Sequence, residues 1–412
     1  MRIATSQLYT SSVQTMEDQQ SQLLQIQEQI SSGIALNTAG DNPVAAAQAV
    51  KLSATSATLT QYQANQNTAL TSLQLEDNTL STVTTTLQSV SNILEQAGNG
   101  SLNDQDRSAL AQQLQGLRNQ LLSLANTTNG TGQYLFAGFQ ASTPPFSNAS
   151  AGGVQYSGDQ GQLLAQVSSN RQISSSDTGS SVFMSVQAVG SDPVPAGSSS
   201  NTGTGTIGAV TVSDPSAASN NVPYSIVFSN ASGSLTYDVL DNSTSPATTV
   251  SSNQPYTAGQ PISLGSGMSV AVSGTPASGD SFTVTQANQA GTDIFATIDS
   301  AIAALQTPTQ SLPTAEATLT NAMSTAMTKV NNALGNVTTI HASVGGREQE
   351  LKALQTVTSS NTLQVQTSLS DLTSTDMTSA ISQYEQLSNA LTASQKSFVS
   401  MQGLSLFQYI NP

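Results

Sequence analysis

His341 is the only histidine in the chain, and cysteine and tryptophan are absent. A histidine pair for a metal, a Cys–His dyad and a disulfide are therefore all excluded. His341 follows Ile340 on an apolar-periodic stretch, which predicts packing or solvent exposure rather than catalysis. Gly265-Ser266-Gly267 follows a β run but opens no helix, and there is neither a P-loop nor a GxGxxG, so no phosphate cradle is expected. The 24 Asp and Glu residues are scattered, with no pair placed by spacing alone for acid–base work. Sequons such as Asn148-Ala149-Ser150 arise by chance in a chain this rich in Asn, Ser and Thr. Only 9 basic residues face those 24 acids, giving a net charge of −15. That leaves no basic footprint for nucleic acid or for an anionic membrane. Apolar runs such as Ala301 to Leu305 are far too short to span a bilayer, and MRIATSQLYT lacks the apolar core of a Sec signal. The expectation is a structural subunit with no catalytic residues, no cofactor and no metal.

The elements that position these side chains are long helices. Charged residues make up 8% of the 412, against roughly a quarter in ordinary soluble proteins. Of 14 prolines, ten lie between residues 141 and 289, while the stretches from Pro43 to Pro144 and from Pro313 to Pro412 contain none. Because proline breaks helix interiors, this predicts a helical, then β or irregular, then helical layout. Leu52, Leu59, Leu73, Leu80, Leu87 and Leu94 share one heptad position, interrupted by Gln66; Tyr62, Ala69, Val83 and Val90 fill the second, interrupted by Glu76. Such a repeat specifies a coiled-coil-like helix, roughly 65 Å long at 1.5 Å per residue. Asn42-Pro43 supplies its N-cap and first residue, and Gly98-Asn99-Gly100 its end. Leu110, Leu114, Leu117, Leu121 and Leu124 form one face of a following helix.

The C-terminal third repeats the pattern with Met323, Val330, Val337, Val344, Leu351, Val365 and Leu372, Thr358 being the polar member. Gly345-Gly346 within it predicts a kink or a close helix crossing. Met377, Tyr384, Leu391 and Phe398 open a new series, and Tyr9, Met16, Leu23 and Ile30 are likewise seven apart. Narrow stripes like these cannot be buried by their own helix and require the other terminus or another molecule. Between the helical parts, strand candidates centre on Val154, Tyr156, Val167, Ile173, Val182, Phe183 and Val186, residues 190–206 read as a linker, and from 207 to 288 short β runs predict a small sandwich or barrel.

Several segments resemble the flagellin superfamily. Ser31-Ser32-Gly33 through Asp41-Asn42-Pro43 is similar to the SSG…N.A.DDP connector, with Asn42 in place of an acid, and Val344-Gly345-Gly346-Arg347 followed by Leu351 to its GAR…L stretch. Within that superfamily, Ala125-Asn126-Thr127 with Tyr134-Leu135-Phe136-Ala137-Gly138 and Pro145-Phe146 resembles the hook–filament junction family. So do Tyr156 to Gln162, Gly274-Thr275-Pro276 with Gly279-Asp280-Ser281-Phe282, and the tail Leu404 to Ile410, where Gln408 departs from the usual Asp.

The resemblance implies a fold that is mainly α with a β insert: a long antiparallel coiled-coil-like helical bundle formed by both chain ends, plus a central β domain. It divides the chain into a terminal assembly domain (1–42 and 360–412), a helical core with a β-hairpin (43–189 and 290–359) and an outer β domain (190–289). It further implies type III export to the extracellular flagellum, and a role as adaptor between hook-associated protein 1 and flagellin. Further copies of the chain and an export chaperone are the remaining implied partners. On this reading Tyr9, Met16, Leu23, Ile30, Met377, Tyr384, Leu391, Phe398, Leu404, Leu406 and Phe407 form the assembly interface, and Ser31, Gly33, Asn37, Asp41, Asn42 and Pro43 the connector. Flagellin itself and a secreted coiled-coil adhesin are the competing readings.

Overall fold

The computed structural model describes residues 2–150, 152–187, 190–230, 233–309 and 312–403. In chain order the helices are α1 (Arg2–Ser32), α2 (Pro43–Ala97), α3 (Asp104–Ala125), α4 (Gly179–Phe183), α5 (Ile294–Gln306), α6 (Pro313–Thr373) and α7 (Met377–Gly403). The strands are β1 (Phe146–Asn148), β2 (Val154–Tyr156), β3 (Leu164–Ser168), β4 (Arg171–Ser174), β5 (Val194–Gly197) and β6 (Thr206–Val212), then β7 (Tyr224–Ser229), β8 (Thr236–Asp241), β9 (Thr248–Pro255), β10 (Pro261–Ser263), β11 (Met268–Ser273) and β12 (Ser281–Thr285). The expected fold class, mainly α with a β insert between helical ends, is what the chain adopts. Two compact units result, residues 1–64 with 354–412 and residues 65–353.

In the second unit the heptad leucines do what their spacing requires. Leu73, Leu80, Leu87 and Leu94 of α2 are at most 1% exposed, as are Ala69, Val83 and Val90. On α6, Met323, Val330, Val337, Val344 and Leu351 are at most 2% exposed. Polar cross-links sit beside this seam: His341 Nε2 donates to Asp77 at 2.8 Å, and Ser91 Oγ to Asn331 at 3.3 Å. The lone histidine is thus a partner of Asp77 on a helix face. In the first unit the same series, at Leu52, Leu59, Val365 and Leu372, is only half-buried. The helix α6 runs unbroken through Gly345-Gly346, and a Cβ at either position would meet no neighbour. The expected close crossing is therefore not there.

The two polar breaks in the α2 seam have a structural cause. Gln66, fully buried, donates from Nε2 to Val167 O at 2.8 Å, and Asn65 beside it donates to Gln166 O at 2.8 Å. Ten residues on, buried Glu76 accepts from Asp177 N at 3.0 Å. Both breaks therefore seat the β3–β4 hairpin and the segment after it on the helix. A leucine could bury there, but could not satisfy the hairpin's backbone.

The β insert contains a three-stranded antiparallel sheet (β10-β11-β6) and a five-stranded one (β5-β12-β7-β8-β9). Their alternating residues share one core, with Phe228, Phe282, Ile226, Val239, Leu264 and Val272 at most 1% exposed, so a sandwich forms. A series of asparagines on α6 holds neighbouring backbone in register. Asn321 accepts from Ile207 N at 2.8 Å and donates to Gly205 O, Asn332 brackets both backbone groups of Asp192, and Asn336 donates to Ser181 O.

Two expectations need correction. Residues 190–206 are not wholly linker, because Val194–Gly197 forms β5 by pairing with β12. Val182, Phe183 and Val186 are not in strands: the first two lie in α4, where both are buried and Phe183 stacks in the aromatic cluster described below, and Val186 follows it outside any strand.

Candidate assembly surface

The stripes at the two chain ends meet each other. Helices α1 and α7 pack antiparallel within the first unit, the Tyr9 and Phe398 rings lying 4.9 Å apart and tilted by 44°. Met16, Leu23, Ile30, Tyr384, Leu391 and Phe398 are half-buried, while Tyr9 and Met377 remain 51% and 42% exposed. The alternate seam positions, Ser12, Gln19 and Ile26 facing Ala380, Leu387 and Ser394, complete the 3–4 spacing but are partly polar. An interhelical seam of small and polar residues buries less apolar area than the leucine seam of α2. Leu404, Leu406 and Phe407 lie outside the described residues.

Pairing the seam leaves a second apolar set outward. Leu8 and Leu24 on α1 are 56% and 59% exposed, and Ile381 and Val399 on α7 are 46% and 65% exposed. Between the helices, Gln22, Gln25 and Gln29 face Gln383 and Gln386 across a 490 Å³ groove. These glutamines also reach the connector, since Gln25 donates to Asp41 Oδ1 and Gln29 to Ala35 O, both at 3.0 Å.

The connector is built as a pair. Gly33 ends α1 in the left-handed region (φ +71°), a conformation that costs a residue with a Cβ. Its carbonyl accepts from Thr375 N at 3.0 Å, Ala35 N donates to Thr373 O at 2.8 Å, and Ile34 bridges Ser374 antiparallel. The link between α1 and α2 is thereby clipped to the link between α6 and α7. Ser31 Oγ donates to Glu28 O, Asp41 Oδ2 accepts from Thr38 N at 2.8 Å, and Asn42 Oδ1 caps α2 through Ala45 N at 3.1 Å. Pro43 occupies the first helical position, where its missing N–H costs nothing. Asn37 is exposed, with no side-chain hydrogen bond among the described residues.

The short motifs of residues 125–162 converge on one knot in the second unit. Asn126 exchanges two 3.0 Å bonds with the backbone of Phe146. Tyr156 Oη donates to Phe136 O and Asp159 O, and Asp159 Oδ1 accepts from Phe139 N and Gly161 N. Gly138, at φ +66°, lets Asp159 approach so closely that a Cβ would overlap its carboxylate. Phe136, Phe146, Tyr156, Phe183 and Phe295 stack in tilted and edge-on pairs 5.0 to 6.0 Å apart. Arg118, almost fully buried, braces this knot. It donates to both oxygens of Asp299, to Gly153 O and to Asn148, and lies over the Phe295 ring. In the insert, buried Asp280 gathers the amides of Thr202, Gly203 and Ala277. Among the described residues no group of three or more His, Cys, Asp or Glu could hold a metal ion, and no helix is long and apolar enough to cross a membrane.

Comparison with known proteins shows the family of the chain. The bacterial flagellin N-terminal helical region matches residues 3–141. Over 408 residues the chain is 30% identical to flagellar hook-associated protein 3 of Escherichia coli K12, covering 99% of both. The chain belongs to the hook-associated protein 3 family. The Salmonella typhimurium member is 29% identical over the same share. Among solved structures, FlgL of Xanthomonas campestris superposes with a TM-score of 0.67 at 32% identity, over 76% of this chain and 98% of that one. The hook-associated protein 3 of Legionella pneumophila superposes with a TM-score of 0.69 at 27% identity, over 78% and 98%. Membership makes this a structural component of the bacterial flagellum. Sequence reasoning named the seams, the connector and the motifs; it missed Arg118, Asn321, Asn332 and Asn336, whose signal was a polar residue on an otherwise apolar helix face.

Proposed function

We propose that the chain is the adaptor subunit at the hook–filament junction, outside the cell, joining hook-associated protein 1 on one side to flagellin on the other. The observation that carries this reading is the terminal hairpin of α1 and α7, whose seam is satisfied within the chain while Leu8, Leu24, Ile381 and Val399 stay outward. An apolar set on a helix pair that is already closed is a surface for other subunits. Tyr9, Met16, Leu23, Ile30, Met377, Tyr384, Leu391 and Phe398 then hold the hairpin's geometry, and the outward residues contact neighbouring copies. A layer with different partners above and below needs two unlike faces and head-to-tail contacts around the ring. Residues 31–43, clipped to 373–375, give the hairpin a defined exit from the bundle, and small shifts there reconcile hook and filament packing. Export through the type III apparatus, with a dedicated chaperone, supplies the route.

Removing residues 378–412 tests this. The second unit should stay folded, by circular dichroism and protease resistance, while filament growth at the hook tip is abolished. Filaments of normal length from the truncated chain would overturn the proposal. Immunogold labelling of intact flagella should mark a single layer at the hook tip; label along the whole filament would favour a flagellin instead.

A further inference from the structure

Glu76 is an anomaly in a seam otherwise made of Leu, Val and Ala. Its side chain has no solvent exposure, and only one of its oxygens has a hydrogen bond, from Asp177 N. The other, Oε2, is buried without a partner among the described residues. The segment after β4 brings the Asp177 carboxylate against it, and α6 brings Arg347, which donates to Asp177 Oδ2 and, at 3.2 Å, to Ser174 O. Asp77, next to Glu76 on α2, is engaged by His341, and Glu350, further along α6, by Arg171. The cluster therefore holds two carboxylates and one guanidinium. With both acids ionised it would carry an uncompensated buried negative charge. A single proton on Glu76 removes that charge.

We propose that Glu76 is a proton-operated latch, which when protonated holds residues 175–178, the segment after β4, on α2 and when ionised releases them. The latch is independent of the junction role, since it concerns only how this segment is seated.

Burial first, and the neighbouring Asp177 charge second, push the Glu76 carboxyl from 4.5 up to about 8. The closed form thus keeps its proton to higher pH than the open form. Between pH 4.5 and about 8 the closed form binds more protons, so rising pH favours opening, by about tenfold per pH unit. Well below 4.5 both forms are protonated, and the balance between closed and open no longer changes with pH. The bonds of Asn65 and Gln66 to β3 involve no titrating group, so release is local.

Hydrogen exchange on the full-length chain tests this. The amide of Asp177 and its neighbours should lose protection about tenfold per pH unit from pH 5 to 8, after correction for intrinsic exchange. In Glu76→Gln, which keeps the acceptor and carries no charge, the profile should be flat. Equal slopes in both proteins would overturn the latch. Should the variant fail to fold, the ¹³C carboxyl resonance of Glu76 in the unaltered chain decides. A midpoint well above 4.5, with Asp177 amide protection lost over the same pH range, supports the latch; a midpoint near 4.5, or unchanged protection across the titration, overturns it.

Discussion

Single polar residues set the details that the heptads leave open. Periodicity marks which face of α2 is buried, but not what lies on it, so Gln66 and Glu76 read as faults in the seam until the β3–β4 segment is seen above them. The same holds for Arg118, which on sequence is one of nine basic residues without a distinguishing neighbour. Folding brings Asp299 to it from 181 residues away. Removing one member of a buried ion pair strands the other charge. Replacing Arg118 by Met should therefore destabilise the second unit by about 3 kcal/mol, the low end of the range for such pairs because Asp299 keeps some access to water. Urea unfolding monitored by circular dichroism measures it; a change within about 0.5 kcal/mol, as at an ordinary surface site, would show the arginine is a bystander to the knot.

At the scale of elements, the long helices were legible and several strands were not. Six leucines in register leave no alternative to a helix. By contrast, Val194–Gly197 and Thr248–Pro255 contain proline and little apolar alternation, because they are the two edges of the five-stranded sheet. An edge strand has one side without ladder bonds, and proline is tolerated there. Pro261, in β10, likewise sits on the edge of the smaller sheet. Val182 and Phe183 read as a strand because they are apolar neighbours, yet packing against Phe136, Phe146 and Phe295 is served equally by one helical turn. The heptad itself is unequal along α2. Leu87→Ala, at a fully buried position, should cost about 2–5 kcal/mol. The half-buried Leu59→Ala should cost about 1 kcal/mol. Thermal unfolding of the two variants checks the order, and equal losses would mean that the seam is uniform.

For the molecule as a part of an assembly, the stripes at the termini were visible in the sequence, which left their partner open between the other terminus and another molecule. A narrow apolar seam says only that something must cover it, and the structure supplies the other end of the same chain. What remains for neighbours is the set that heptad reasoning passed over, because Leu8, Leu24, Ile381 and Val399 fall outside the repeat. These two sets can be separated by experiment. Leu24→Glu with Val399→Glu changes only exposed positions, so the isolated subunit should keep its helicity and its unfolding midpoint, within about 0.5 kcal/mol for each site. Filament assembly, scored by electron microscopy and swarming, should fail, because burying a carboxylate between subunits is costly and a chain with nine basic residues against 24 acids offers few cations to meet it. Leu23→Glu with Leu391→Glu places the same charges inside the α1–α7 seam and should instead lower the helicity of the free subunit before any assembly is attempted. If the outward pair assembles normally, the contacts between copies lie elsewhere on the chain, and the terminal hairpin is only a closed structural element.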